Sequence, residues 1–185
     1  MIYLVRHGLD DENYIGGWSD ATLTNKGIHQ IEDTRDFLIK NNILFDKIIS
    51  SDINRAYTSA LIINEFFNKE IIKSQILREL NKGELNGLLK STVSSRYEEF
   101  KGNPEIDVTY PNGESMISFY NRIKDNLDSI LKMDNNLLVT HRGVINMLYF
   151  ILNDIPLSND KKRFNVTHGS VHELDPIKKT IKRIY

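Results

Sequence analysis

The chain opens on MIYLVRHG, residues 1–8, and the fold follows from how this stretch is read. Ile2 to Val5 have the apolar, β-branched and aromatic character of a buried strand, and they run without a break into Arg6, His7 and Gly8. A buried strand that delivers two groups able to carry positive charge at its end implies something there for them to meet. The same grammar recurs at KIIS, residues 47–50, before Ser51, and at NLLVT, residues 136–140, before His141. Each apolar run ends in polar residues and is followed by a segment of helical period. The alternation predicts βα units and an α/β fold with a mostly parallel sheet.

Between these strands the helices are legible. Thr24 is a candidate cap for a helix carrying Ile28, Ile31 and Leu38 on one face, and Ser51 or Asp52 for one carrying Ala56, Ala60, Ile63 and Phe67. Ser115 begins a stripe of Met116, Phe119, Tyr120, Ile123, Leu127 and Ile130. Gly143 to Leu152 is apolar nearly all round, as a helix buried against the sheet would be. Such stripes are core and carry no functional weight. Lys90 to Gly113, with Pro104, Pro111 and the turn signal Pro111-Asn112-Gly113, is expected to build a helical lid or insertion over the sheet end. The tail KKTIKRIY, residues 178–185, alternates and predicts an edge strand. With no internal repeat and no low-complexity linker, residues 1–185 are expected to form a single domain.

Composition excludes several classes. Lys and Arg number 24 against 25 Asp and Glu, a net charge of −1, so no global field draws the chain to nucleic acid or to an anionic membrane. Any anion site has to be local. The absence of cysteine removes a thiol nucleophile, a cysteine-based zinc site and any disulfide. The apolar start lacks a basic leader, and the run Met147 to Leu152 is far too short to span a bilayer, so a cytoplasmic location is expected. Nothing in the sequence speaks to an oligomeric state.

In open α/β sheets ligands bind beyond the carboxyl ends of the strands. Three segments place polar residues at that edge: Arg6 with His7, Ser51 to Arg55, and His141 with Arg142. Arg55 falls in the first turn of a predicted helix, where the macrodipole disfavours a cation by a few tenths of a kcal/mol, roughly. A bound anion reverses that penalty. Two arginines beside two histidines at a helix N-terminus suit a phosphoryl group, with fork donors for its oxygens and a nucleophile for its phosphorus. Taken alone, Arg-His-Gly is equally a common turn with a solvated arginine. His29, His168 and His172 have no comparable setting and read as surface or structural. A zinc site from His7, His141 and a carboxylate lacks a helical His pair at ligand spacing, and the arginines oppose a cation. Neither GxxxxGK[ST], GxGxxG nor GxSxG occurs. IGGWSD, residues 15–20, reads as a loop lining the pocket, with Trp18 packed in the core.

Taken together, LVRHG (4–8), Asn13, GWSDATLTNKG (17–27), SSDINRA (50–56), LRELNKGELNG (77–87), PNGES (111–115) and VTHRGVI (139–145) stand in an order that resembles the histidine phosphatase superfamily. The likeness spans most of the chain and lies in the branch of the cofactor-dependent phosphoglycerate mutases and their small phosphatase relatives. It implies a phosphoglycerate mutase-like fold, a three-layer sandwich with helices on both faces of the sheet. It implies that His7 attacks phosphorus and becomes a phosphohistidine, that Arg6, Arg55 and His141 hold the phosphoryl oxygens, and that Asn13 contacts phosphate or substrate. Glu79 matches the acid that protonates the leaving oxygen and then activates water. Glutamate followed by glycine four and eight residues later fits Glu79, Gly83 and Gly87, which leaves Glu84 as a solvated loop charge. Neighbouring arginines would keep His7 unprotonated by like-charge repulsion. No cofactor or metal is implied, and the partner is a small phosphorylated molecule.

The chain departs from the family pattern in places. Leu9 replaces a polar or acidic residue, Tyr14 and Ile15 stand where an arginine is frequent, Thr58-Ser59 replaces a Gln-Thr pair, and Arg142 replaces a small residue. Arg142 either reaches a second anionic group of the substrate or points to solvent. The acid phosphatase branch fits poorly, because RHG precedes Leu9-Asp10-Asp11. A metal-independent phosphatase of small phosphomonoesters is the expected activity. The alternatives are phosphoglycerate mutase-type transfer, which needs more shielding than this short chain offers, and a phospholigand-binding module without turnover, which retention of His7 and a glutamate opposes.

Overall fold

The computed structural model describes residues 1–93, 97–100, 102, 104–160 and 162–185. Strand β1 (Ile2–Arg6) sends Ile2 and Leu4 into one apolar cluster and Val5 into another, as the period of two along a strand requires. The chain continues through α1 (Asn25–Lys40), β2 (Ile48–Ser51), α2 (Asn54–Phe67), β3 (Ile71–Ser74), α3 (Met116–Asp125), α4 (Leu127–Leu131), β4 (Leu137–Thr140), α5 (Arg142–Leu152), β5 (Val171–Asp175) and β6 (Thr180–Arg183). The six strands lie in the order β3-β2-β4-β1-β5-β6. The first four are parallel to one another and the last two antiparallel. On one face Ile31 and Leu38 of α1 and Ala56, Ala60 and Ile63 of α2 meet Val5, Ile48 and Val139. On the other, Phe119, Ile123, Ile130, Val144, Ile145 and Leu148 of α3, α4 and α5 meet Ile2, Leu4, Ile49 and Leu138. Helices therefore cover both faces of a mostly parallel sheet, in the expected three layers.

Register builds the site. In the parallel pair of β1 and β4, Arg6 stands opposite Thr140, so His7 and His141 leave neighbouring strands at the same level. The His7 N–H donates to the Thr140 carbonyl at 3.0 Å, which extends the ladder by one residue.

Several elements differ from the sequence reading. Thr24 does cap α1, its hydroxyl accepting from Gly27 N at 3.0 Å, but neither Ser51 nor Asp52 caps α2. The cap position falls on Ile53 with no side-chain bond, because Ser51 is engaged by His141 and Asp52 by Arg78. The stripe after Ser115 breaks at Asn126, whose side chain turns back to the Arg122 carbonyl, and two helices result. Lys90 to Gly113 forms no α-helix among the described residues. It holds a 3-10 turn at Glu98–Phe100 and is anchored by Val93, Phe100 and Tyr110, which are buried in the larger cluster; residues 94–96, 101 and 103 lie outside the described residues. The tail forms edge strand β6 as predicted. No helix among the described residues is long and apolar enough to cross a membrane.

Candidate active site

Arg6 ends β1 and is 9% exposed. Its Nη1 donates to the Val166 carbonyl at 2.8 Å and its Nη2 to His168 Nε2, while its buried Nε has no partner. Burial first, then the charge of Arg142, pushes its pKa down to about 10, so it stays a cation at neutral pH. The His7 Nδ1 lies 2.7 Å from the Gly8 carbonyl, an oxygen that only accepts, so the proton is on Nδ1 and the lone pair on Nε2. Burial, then Arg55, His141 and Arg6, hold His7 well below the ordinary imidazole value. Like-charge repulsion from the arginines, expected from the sequence, is thus the smaller cause and desolvation the larger. Gly8 admits no side chain, since a Cβ there would lie 2.2 Å from the Gly27 carbonyl oxygen of α1.

Arg55, 2% exposed, enters from the first turn of α2. Its Nε faces His7 Nε2 and Asp10 Oδ2, each at 3.3 Å. Its Nη2 donates to the Gly17 carbonyl at 2.7 Å and its Nη1 to the Ser19 carbonyl at 3.3 Å, so the IGGWSD loop holds the guanidinium in place. His141 packs behind His7 with ring centroids 5.1 Å apart. Its Nε2 meets Ser51 Oγ at 2.9 Å, its Nδ1 is buried without a partner, and burial followed by Arg55 keeps its pKa well below normal.

Glu79 follows the 3-10 turn Gln75–Leu77 and faces the start of α5. Its carboxylate accepts from Gly143 N at 3.1 Å and Leu80 N at 2.9 Å. Its carbonyl accepts from Trp18 Nε1 at 2.7 Å and Arg122 Nη2 at 3.1 Å. Trp18 is thus a partly buried brace under Glu79, stacked on Arg78, and belongs to neither core cluster. Glu84 is exposed and ties Tyr97 to Asn112.

Arg6, His7, Arg55, Glu79 and Arg142 all line one cavity of about 200 Å³, with Gly16 and Gly17 in its wall. Asn13 is not among the lining residues. Asn13 is exposed, its backbone N–H donating to the Asp11 carboxylate at 2.9 Å, and Asp10, Asp11, Glu12 and Tyr14 line the cavity instead. His168, read from the sequence as surface or structural, is a cavity residue. Its ring lies 5.6 Å from that of His7, and its Nε2 accepts from Arg6. Burial and the surrounding cations push its pKa down to about 3. His29 is exposed beside Glu32, and His172 is buried between Tyr149 and Ser170, as expected of surface and structural residues.

Ligand-type atoms of His7, Asp10 and His168 lie within 4.8 Å of one another. The Nε2 lone pairs of both imidazoles already face guanidiniums, a setting that suits an anion far better than a divalent cation. In sum the cavity offers two buried guanidiniums, a neutral imidazole whose Nε2 accepts from Arg55 Nε, and the Glu79 carboxylate in the same lining, which are the parts of phosphoryl transfer to nitrogen.

A family description of the histidine phosphatase superfamily, branch 1, matches residues 2–183. Phosphoserine phosphatase 1 of Hydrogenobacter thermophilus is 31% identical over 182 residues, covering 90% of this chain and 85% of that protein. The "Probable phosphoglycerate mutase GpmB" of Proteus mirabilis is 30% identical over 186 residues, covering 95% and 84%. Among solved structures, the alpha-ribazole phosphatase of Shigella flexneri superposes with a TM-score of 0.77 at 20% identity, over 99% of this chain and 94% of that one. The chain belongs to the histidine phosphatase superfamily, branch 1. Its relatives include both phosphatases and phosphoglycerate mutases.

Proposed function

We propose that the chain is a metal-independent phosphatase that hydrolyses small phosphomonoesters through a phosphohistidine on His7. The observation that carries this is the His7 tautomer: with Nδ1 donating to Gly8, the Nε2 lone pair is left at a cavity that two guanidiniums make anionophilic. Arg6 and Arg55 hold the phosphoryl oxygens, with His141 supporting from behind His7, and the unpartnered Arg6 Nε is a donor position a bound oxyanion would satisfy. Arg142, whose charge bears on Arg6 and His168, works at the phosphoryl end.

In the first step an N–P bond forms at His7 Nε2, the ester P–O bond breaks, and Glu79 gives its proton to the departing oxygen. In the second, a water oxygen attacks phosphorus while Glu79 takes its proton, and the N–P bond breaks to release inorganic phosphate. Gly143 N and Leu80 N keep the carboxylate aimed. Because the positive potential comes from side chains, no metal step is needed.

The test is a phosphomonoester panel run with and without EDTA. Turnover unchanged by the chelator is expected; a loss restored by a divalent ion would replace this reading with a metallohydrolase. The GpmB relative supports mutase-type transfer as the second reading. Interconversion of phosphoglycerates outpacing phosphate release would establish it.

A further inference from the structure

Arg6 ends β1, and one turn, residues 166–170 on the way into β5, takes up most of its polar groups. Its backbone N–H donates to the Ser170 carbonyl and its carbonyl accepts from Gly169 N, both at 3.1 Å. In the guanidinium, Nη1 donates to the Val166 carbonyl at 2.8 Å and Nη2 to His168 Nε2, which leaves Nε without a partner. A guanidinium only donates, so His168 Nε2 carries a lone pair and the ring proton sits on Nδ1. The ring is therefore neutral. Burial, followed by the charges of Arg6, Arg142, Arg55 and Lys26, keeps it so, with a pKa pushed down to about 3.

The turn itself is secured without the imidazole. Arg183 of β6 donates to the Asn165 carbonyl and to Thr167 Oγ1, each at 2.9 Å, and the fully buried Thr34 of α1 donates to the Gly169 carbonyl at 2.7 Å. Among the described residues no carboxylate accepts a hydrogen bond from Arg6, and His168 is the side chain that does. The distinction matters at an anion site. A carboxylate in this place would align the guanidinium and cancel its charge, whereas a neutral imidazole aligns it and leaves the charge available.

Resting on the reading that Arg6 holds a phosphoryl oxygen, we propose that His168 is a positioning residue. It is a neutral acceptor that fixes the Arg6 guanidinium with Nε left for the oxyanion and its charge undiminished. Its effect on the reaction runs through Arg6, without a contact to the reacting atoms.

Three replacements separate alignment from charge. His168→Gln keeps a neutral acceptor near the Nε2 position, His168→Leu removes the acceptor, and His168→Glu keeps an acceptor while bringing negative charge to Arg6. Calorimetric titration with inorganic phosphate compares them, because a dissociation constant does not depend on how much of a preparation is folded. Loss of a hydrogen bond to a charged group should weaken phosphate binding roughly tenfold or more in His168→Leu. His168→Glu should weaken it too, and His168→Gln should recover most of the loss. In an Arg6→Ala background, with nothing left to align, His168→Leu should add no further weakening. Equal weakening by Gln and Leu, a Leu effect that persists without Arg6, or unchanged binding in all three would overturn the proposal. Phosphate bound in the expected order by a protein that turns over no phosphomonoester, p-nitrophenyl phosphate included, would overturn the phosphatase reading and leave the alignment standing. Wild-type protein that neither binds phosphate nor turns over any ester would overturn both.

Discussion

At Gly143 the space a side chain would need is already taken by the Glu79 carboxylate, which also bonds the Gly143 N–H at 3.1 Å. That contact places Glu79 apart from Glu84, which the sequence distinguishes through the apolar run ending at Leu77 and a family pattern. Protonating the leaving oxygen matters most when that oxygen is basic. Glu79→Gln is thus expected to lower the rate roughly 10²- to 10⁴-fold with an alkyl phosphate and far less with p-nitrophenyl phosphate. Glu84→Gln should change neither, and the reverse pattern in a leaving-group series would move the role to Glu84. Arg6, His7, Arg55, Glu79 and Arg142 were readable because each directly follows or soon follows an apolar run, and chain order alone brings it to the sheet edge. Asn13 and His168 were not. The first lies exposed on a loop, its backbone N–H tied to the Asp11 carboxylate, and the second arrives on the turn before β5, a strand whose Val-His-Glu-Leu-Asp sequence hides its return against β1.

At the scale of elements, the segment carrying Glu79 has little regular structure of its own and is held from outside. Trp18 Nε1 and Arg122 Nη2 both donate to the Glu79 carbonyl, and Arg122 also reaches the Ile76 and Arg78 carbonyls while paired with Glu114. Removing one such bond by Trp18→Phe keeps the ring and loses the donor, a change of about 0.5–1.5 kcal/mol, or up to roughly tenfold in rate. The loss should appear in kcat with alkyl phosphates and be smaller with p-nitrophenyl phosphate, because Trp18 acts through Glu79; equal losses on both would mean the brace serves folding only. β1, β2 and β4 were legible as apolar runs ending in polar residues. β3 was missed because its Ile71–Ser74 run lies at the sheet edge, where all four residues are exposed or only partly buried and no clean alternation results. The α2 cap was misread because the site draws Ser51 to His141 and Arg78 draws Asp52.

Across the whole molecule, folding hides basic groups from protons. His7, His141 and His172 are buried, the first two well below the ordinary imidazole pKa and the third at about 4. In the unfolded chain these imidazoles titrate near 6.5, roughly. Below that pH the unfolded state binds more protons than the native one. Stability is therefore full above about pH 6.5 and falls as pH drops toward the depressed native values, by about 1.4 kcal/mol per pH unit for each proton so refused. Asp52, lowered by Arg78, acts in the same direction at still lower pH. The urea midpoint should decrease between about pH 7 and pH 5, and a flat or rising midpoint would contradict the buried neutral imidazoles. The layered architecture was legible because the strand-helix alternation is strong; what aligns the strand ends at the site, the parallel register of Arg6 with Thr140, exists only once β4 lies between β1 and β2 in the sheet. That register sets the two histidines side by side, and the Gly8 carbonyl leaves Nε2 of His7, which lines the cavity, as its acceptor nitrogen. Rapid quench with labelled phosphomonoester, followed by peptide mapping, tests this most directly. Base-stable, acid-labile phosphate on His7 is the predicted result, and label on His141, on His168 or on no histidine would contradict the account.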